Sequence, residues 1–360
     1  MERLSWHFRR ASASGAAIAL AILFAGSGVA AEPAPIGGLP GAYLRPPVGA
    51  EAAAMGGAAT ASPGVLSAWW NAASLTDSRT ALGGLGMGLR SQGRTEGYGA
   101  FDVRIQPRMS MGLALVYRGD PFLNDLYDEY ENKLQNASYT TLTLKTGLGY
   151  LATRSVSLGL SFGVYYQRLP TGYREDASIE YSSATGIGGF DFSGRWLVTK
   201  DWTLALALRN IAAATDWQIS SSYSSLNATI NEKLLPEFVA ASRLDKKLDG
   251  CPLVWTCDLT GYYYDGDWKP LPHADAVLAT GVAWQRWKTF CVRAGLGDIE
   301  INRSLIQSAA DYFDTFSLRL TAGFGWDLDL VHKGLKLNYA VATDKVWAGI
   351  DQQLDFGYSF

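Results

Sequence analysis

The chain has 360 residues, with 31 Lys and Arg against 34 Asp and Glu, a formal charge of −3 and a near-neutral mean hydropathy. This balance carries no electrostatic footprint for nucleic acid, and the length admits one large domain or two ordinary ones. No stretch after residue 31 holds 18 uninterrupted apolar residues, which excludes a helical membrane protein but not a barrel, whose apolar residues alternate with polar ones.

Arg3, Arg9 and Arg10 precede an apolar run from Ala16 to about Ala25 and the small-residue stretch "GSGVAA". The pattern predicts a secretory signal peptide over residues 1–31, cut after Ala31. The run is shorter than the roughly 20 residues a spanning helix needs. Losing three Arg and one Glu leaves a mature charge of about −5. Next comes "AMGGAATASPGVLSAWWNAASL" (Ala54 to Leu75), whose small side chains cannot build a core, yet which carries Trp69 and Trp70 side by side.

From residue 79 onward the dominant signal is period two, which marks strands. In "SVSLGLSFGVYYQ", Val156, Leu158, Leu160, Phe162, Val164 and Tyr166 oppose small and polar residues, and "WTLALALRN", "FSLRLTAGFGW" and "LKLNYAV" repeat the split. The predicted strands span 79–90, 97–106, 108–118, 138–150, 154–168, 185–198, 202–212, 235–246, 252–264, 274–286, 289–297, 316–327, 334–342 and 350–360. That is about 14, an even number within the range of outer-membrane barrels.

A soluble β-sandwich would alternate as well, but three features favour a barrel. Short turns near Pro107, Thr153, Lys200, Lys247, Lys288 and Val331 alternate with longer polar loops over about 120–137, 169–184, 213–234, 265–273 and 298–315. Tyr150, Trp196, Trp202, Trp284, Trp287 and Trp326 gather at the strand ends near the short turns, where amphipathic rings suit a headgroup boundary. The chain closes on "LDFGYSF", with Leu354, Phe356, Tyr358 and Phe360 on one face. This end resembles the C-terminal recognition signal that the barrel assembly machinery reads, and an even strand count returns it to the periplasmic side.

If the apolar face meets lipid, the other face lines the lumen. It carries Asp102, Arg104, Lys145, Asp191, Arg195, Arg209, Glu237, Arg243, Asp258, Arg293, Arg319, Lys336, Asp351 and Asp355 among Gly, Ala, Ser and Thr. Such charges pair with one another or meet water. They are either ion pairs bracing the wall, or groups that line a substrate path or grip a plug. "GIGGF" (Gly186 to Phe190) reads as a bend, a bulge or an opening in the wall.

Enzyme chemistry finds little support. His7 leaves with the signal, and His273 and His332 stand in a loop and a turn without metal-ligand spacing or a nucleophile partner, so neither a metal nor a cofactor is expected. Cys251 and Cys257 share a predicted strand, where six steps of about 3.3 Å put them about 20 Å apart. That is beyond disulfide reach, so with Cys291 they read as free thiols, or Cys251 and Cys257 as a bridge formed only if the chain turns at Cys251.

"GAEAAAMGGAATASPGVLSAWWNAASL" resembles the N-terminal segment of two families, the long-chain fatty-acid transporters (FadL) and the PorV/PorQ outer-membrane proteins. Met55, Gly56, Gly57 and Ala58 match the family's Gly-rich run, and Asn71, Ala73 and Leu75 match its Asn-Pro-Ala-hydrophobic sequence, with Ala72 where the family has Pro. "LLPEFVAASR", "CDLTGYYYDGDW", "VRAGLG" and the closing strands extend the resemblance over nearly all the mature chain. In spacing, the C-terminal half is closer to PorV/PorQ.

The resemblance implies an all-β, 14-stranded transmembrane barrel over 79–360. It also implies a periplasmic N-terminal plug, or hatch, over 32–78 that contains Met55, Gly56, Gly57, Ala58, Trp69, Trp70 and Asn71. Two functions follow. One is uptake of hydrophobic, fatty-acid-like molecules through the plugged lumen, with sideways release into the membrane. The other is a nonconducting, PorV-like barrel partnering type IX secretion proteins. Both set the chain among outer-membrane lipids.

Overall fold

The computed structural model describes residues 40–78, 80–120, 126–127, 133–134, 139–169, 179–221, 228–264, 273–301, 318–343 and 349–360. The predicted signal peptide lies outside them. Apart from a two-stranded pair, Leu126–Tyr127 with Lys133–Leu134, the strands in chain order are β1 (Leu82–Leu89), β2 (Thr95–Gln106), β3 (Met109–Gly119), β4 (Thr140–Leu151), β5 (Val156–Arg168), β6 (Ile179–Thr199), β7 (Trp202–Ile211) and β8 (Ala214–Ser221). They continue as β9 (Ala228–Lys233), β10 (Glu237–Leu248), β11 (Cys251–Tyr264), β12 (His273–Trp287), β13 (Phe290–Ile301), β14 (Arg319–Asp327), β15 (Leu335–Thr343) and β16 (Ile350–Ser359).

Each strand pairs antiparallel with its neighbour, as short turns between successive strands require, and the first and last strands meet, Leu82 opposite Ser359. The ring runs β1 to β7, then β10 to β16 and back to β1, a closed barrel of fourteen strands. The remaining pair, β8 and β9, is a hairpin that extends two wall strands beyond a break. β6 is the branch point. Its stretch from Phe190 to Thr199 pairs with β7, and its stretch from Ile179 to Thr185 pairs with β8.

All fourteen predicted wall strands are present, with ends shifted by a few residues. The expected loops are corrected in part, because 213–234 contains β8 and β9, 169–184 contains the start of β6, and 298–315 contains the end of β13. These additions stand on the long-loop side, where strands emerge from the apolar belt and both faces become mixed, so alternation fades as a signal.

Outward residues are apolar and exposed, as with Leu113 at 43 % on β3, while its inward neighbour Ala114 is at 0 %. The belt includes Leu85, Met87, Leu89, Phe101, Leu115, Leu158, Leu206, Phe238 and Leu320. Leaving an aliphatic or aromatic side chain in water forgoes about 1.5–3 kcal/mol, and a closed sheet with a polar inside and apolar outside resolves this only in lipid. Leu113→Arg, near mid-strand, is therefore expected to cost about 2–4 kcal/mol relative to Leu113→Ala. Denaturant unfolding in lipid bilayers measures it.

Tyr150, Trp196, Trp202, Trp284, Trp287 and Trp326 stand at the short-turn ends of their strands. Leu354, Phe356, Tyr358 and Phe360 occupy the outward face of β16 and its end. Phe360 donates its backbone N–H to Ala81 and packs edge-on against Phe101 and Tyr358. Cys251 and Cys257 share β11, and all three cysteines are free.

Residues 41–78 pack against inward-facing residues of the wall. A short helix α1 (Ala50–Ala54) lies against β14, β15 and β16. A second, α2 (Ser67–Trp70), and a 3-10 turn (Ala72–Asp77) lie against β3 and β4, the turn reaching β5 and β6 as well. At several points where this segment comes closest, the wall residue is a glycine. A Cβ on Gly159 of β5 would meet the Ala73 nitrogen at 2.1 Å, and one on Gly297 of β13 would meet the Gly56 oxygen at 2.2 Å. The inward small residues thus leave room that the N-terminal backbone fills at van der Waals contact.

Candidate functional site

The segment inside the ring has too few side chains of its own to satisfy its backbone, and the wall supplies the partners. Asp355 accepts from the Ala50 nitrogen at 2.7 Å, giving α1 the carboxylate that its N-cap residue Gly49 lacks. Thr321 accepts from Gly56 and donates to Ala54, each at 3.0 Å. Asp258 accepts from Ala59 at 3.1 Å and from Thr60 at 2.9 Å. Arg209 donates to the Trp70 carbonyl at 2.8 Å and to the Thr60 hydroxyl at 2.9 Å, and Arg104 donates to the Thr76 carbonyl at 3.0 Å. Arg195 pairs with Asp77, and Arg293 pairs with Glu51 at 3.2 Å while donating to Asn338 at 2.9 Å.

At the other expected lumen positions the contacts stay within the wall. Lys145 and Asp191 form a buried pair at 2.5 Å. Arg209 and Glu237 stand 3.8 Å apart, Arg243 pairs with Asp245 two residues along its own strand, and Arg319 bonds Asp351 at 2.8 Å. Asp102 is fully buried beneath the segment, and among the described residues its carboxylate has no hydrogen-bond partner.

Four residues outside the expected lumen set, Glu96, Arg90, Arg118 and Gln353, complete the contacts. Glu96 accepts from Arg90 at 2.7 Å and from Arg118 at 2.6 Å, and Arg90 also reaches Asp351 at 2.9 Å. From this buried network Arg90 donates to the Pro47 carbonyl, and Arg118 donates to the carbonyls of Pro46 and Tyr43. Gln353 adds a bond to the Pro47 carbonyl at 3.0 Å. Strand ends hid these residues: Glu96 lies one position before the predicted strand that begins at 97. Continuing the inward series Asp102, Ala100, Tyr98 one step would have found it.

Met55, Gly56, Gly57 and Ala58 turn the chain against β12 and β13, with the Met55 backbone within 3 Å of a Cβ placed on Gly281. Gly56 has a φ of 73°, and a Cβ there would meet the Leu296 carbonyl at 2.3 Å, so both backbone and space demand glycine. Asn71 ties the segment to itself. Its side chain accepts from Ala73 and donates to the Thr60 carbonyl, each at 2.9 Å, capping the 3-10 turn. Ala72, where the resembling families have Pro, is buried with its oxygen 2.7 Å from a Cβ built on Gly149.

Trp69 and Trp70 part company. Trp69 is buried and packs with Val48, Leu66, Tyr98, Ala100 and Val116, and the Lys145 ammonium lies 5.4 Å from its ring centre. Trp70 is only partly buried, with the Arg209 guanidinium 5.5 Å from its ring centre. Both line a cavity of about 80 Å³ between the segment and the wall, which Lys145, Arg209, Asn210, Glu237 and Asp258 border as well.

Beside this cavity the wall is broken. Gly188, at a φ of 110°, forms a bulge in β6 across which the inward parity shifts by one residue, so that Ala184 and Gly186 are buried on one side and Gly189 and Asp191 on the other. Opposite it, Asn210 and Ala212 take positive φ values of 59° and 54°, and pairing with β6 lapses between the end of β7 and the start of β8. Asn210 spans the break, donating its N–H to Asp191 at 2.9 Å and its side-chain amide to the Leu235 carbonyl at 3.2 Å.

No protein-family model matches the chain, and no curated protein matches it. Among solved structures it is similar to the toluene transporter TbuX of Ralstonia pickettii, at 13 % identity and a TM-score of 0.56 over 88 % of this chain and 100 % of that one. It is similar as well to a Pseudomonas aeruginosa FadL homologue, at 12 % identity and a TM-score of 0.55 over 88 % and 99 %. A third is the Pseudomonas putida toluene transporter TodX, at 14 % and 0.51 over 86 % and 96 %. What the chain shares with these transporters, over nearly its whole length, is the fold of a closed outer-membrane β-barrel.

Proposed function

We propose that the chain is an outer-membrane channel for hydrophobic small molecules, with residues 32–78 as a hatch. One observation supports this reading: inward side chains of the wall bond the backbone of residues 50–76. A segment bonded mainly through backbone atoms keeps its place without a core of its own and can shift when a few polar contacts exchange. The similarity in fold to proteins described as toluene transporters and a FadL homologue supports the same reading.

In this proposal Met55, Gly56, Gly57 and Ala58 form the hatch turn, and Trp69, Trp70 and Asn71 form its seal. The charges at Asp258, Asp355, Arg104, Arg195, Arg209 and Arg293 grip it. The break along β6, between its pairing with β7 and its pairing with β8, is the place where a ligand leaves sideways into lipid. The barrel assembly machinery reads the outward face of β16. Cells lacking their own hydrophobe channel, and expressing this chain in the outer membrane, are expected to take up labelled laurate or toluene several-fold faster than vector controls. Equal rates at equal outer-membrane expression would overturn the proposal.

A further inference from the structure

The break along β6 lacks ladder bonds, yet on the lumen side a single ring lies over it. Tyr165 points inward from β5, opposite Gly186 and just past the register shift that the Gly188 bulge makes. The inward position of β6 on the other side of the bulge, Gly189, has no side chain to stop the ring. A Cβ there would run into the Tyr165 hydroxyl and stand 2.9 Å from the Ala213 Cβ, and a Cβ on Gly163 would run into the same hydroxyl. The ring therefore crosses β6 over a glycine and reaches Ala213, which belongs to the far side of the break.

Tyr165, Ala213 and Leu234 form one buried apolar cluster, with Tyr165 only 1 % exposed. Leu234 donates its backbone N–H to the Ala213 carbonyl at 2.9 Å. The cluster is backed by the N-terminal segment: Leu44 packs against it, and a Cβ on Gly41 would lie 3.6 Å from Leu234. A buried tyrosine hydroxyl usually finds a hydrogen-bond partner. Among the described residues this one has none, so packing alone holds the ring in place. Part of that packing comes from Leu44, in the segment read above as a hatch.

We infer that Tyr165 is the residue that limits sideways exit: its ring closes the break from within, and Leu44 holds it there. The inference rests on the uptake reading above and assigns its exit step to one side chain. Two readouts test it. Labelled laurate uptake by cells lacking their own hydrophobe channel follows the exit into lipid. Arabinose entry in liposome swelling follows the lumen alone, because a sugar does not leave through the hydrocarbon. Tyr165→Ala is expected to raise laurate uptake severalfold with arabinose entry unchanged. Tyr165→Phe keeps the ring and gives up only an unbonded hydroxyl, so it should match the parent in both. Leu44→Ala should raise laurate uptake in the parent and add nothing in Tyr165→Ala, since a support has no effect once the ring it holds is gone.

Equal laurate uptake by the parent and Tyr165→Ala, at equal amounts of heat-modifiable barrel, would overturn the assignment and leave the uptake reading standing. Arabinose entry that rises in step with laurate, or a Leu44→Ala effect that adds in full to Tyr165→Ala, would do the same. Leu44→Ala leaves the wall untouched and decides the question if Tyr165→Ala does not assemble: no gain in laurate uptake overturns the assignment. A parent that takes up laurate no faster than vector controls would remove the uptake reading itself.

Discussion

Replacing Glu96 by Ala is expected to destabilise the folded protein by about 3–5 kcal/mol, the usual cost of removing one partner from a buried ionic network. Glu96 is the one carboxylate shared by Arg90 and Arg118, whose remaining contacts are to Asp351 and to backbone carbonyls of residues 43–47. Without it, two guanidinium groups face each other across a dry interface. Glu96→Gln keeps an acceptor but not the charge, so its cost should be smaller. Denaturant unfolding gives the total. Hydrogen exchange in residues 43–48 should rise first, because the carbonyls there are held by the same two arginines. A variant as stable as the parent, with unchanged exchange, would show that the network does not hold the segment.

The second large effect belongs to the tryptophans. Trp69→Ala removes a buried ring packed against the wall residues Tyr98, Ala100 and Val116, and such truncations cost about 3–5 kcal/mol. The loss falls on the contact between segment and wall, not on the wall's own ladders. The expected phenotype is therefore a barrel with normal heat-modifiable mobility and raised permeability to small solutes in liposome swelling. Trp70→Ala should do less, since Trp70 is only partly buried and borders a cavity, and the double variant should leak most. No leakage from the double variant would mean that the rings pack the lumen without sealing it.

The wall was legible because alternation is enforced twice along each strand, by lipid on one face and by close packing on the other. Leu113 beside Ala114 is the pattern in miniature. Where one constraint ended, the reading did too. In β8, Asp216 and Gln218 alternate with Thr215 and Trp217, polar and apolar mixed on both faces, so the pattern predicts a loop where the chain forms a strand.

The site was harder to see. Lys145 and Asp191 were legible as inward charges from strand parity, but their pairing depends on the stagger between β4 and β6, which no single strand encodes. The fit of Gly159 and Gly297 to the N-terminal backbone was equally hidden, because a glycine in a strand does not announce whether it bends the strand or makes room.

The bonds from the wall to the N-terminal segment also set an order of events during assembly. Ala50 meets Asp355 across 305 residues, Pro47 meets Gln353 across 306, and Gly56 meets Thr321 across 265. Contacts this distant in sequence form late, after the intervening chain has been arranged. The last strand, β16, contributes Asp351, Gln353 and Asp355 to the interior and at the same time closes the seam with β1. Locking the interior and shutting the cylinder are thus one step. A chain cut short before β16 loses both its seam and the side chains that hold Pro47 and Ala50.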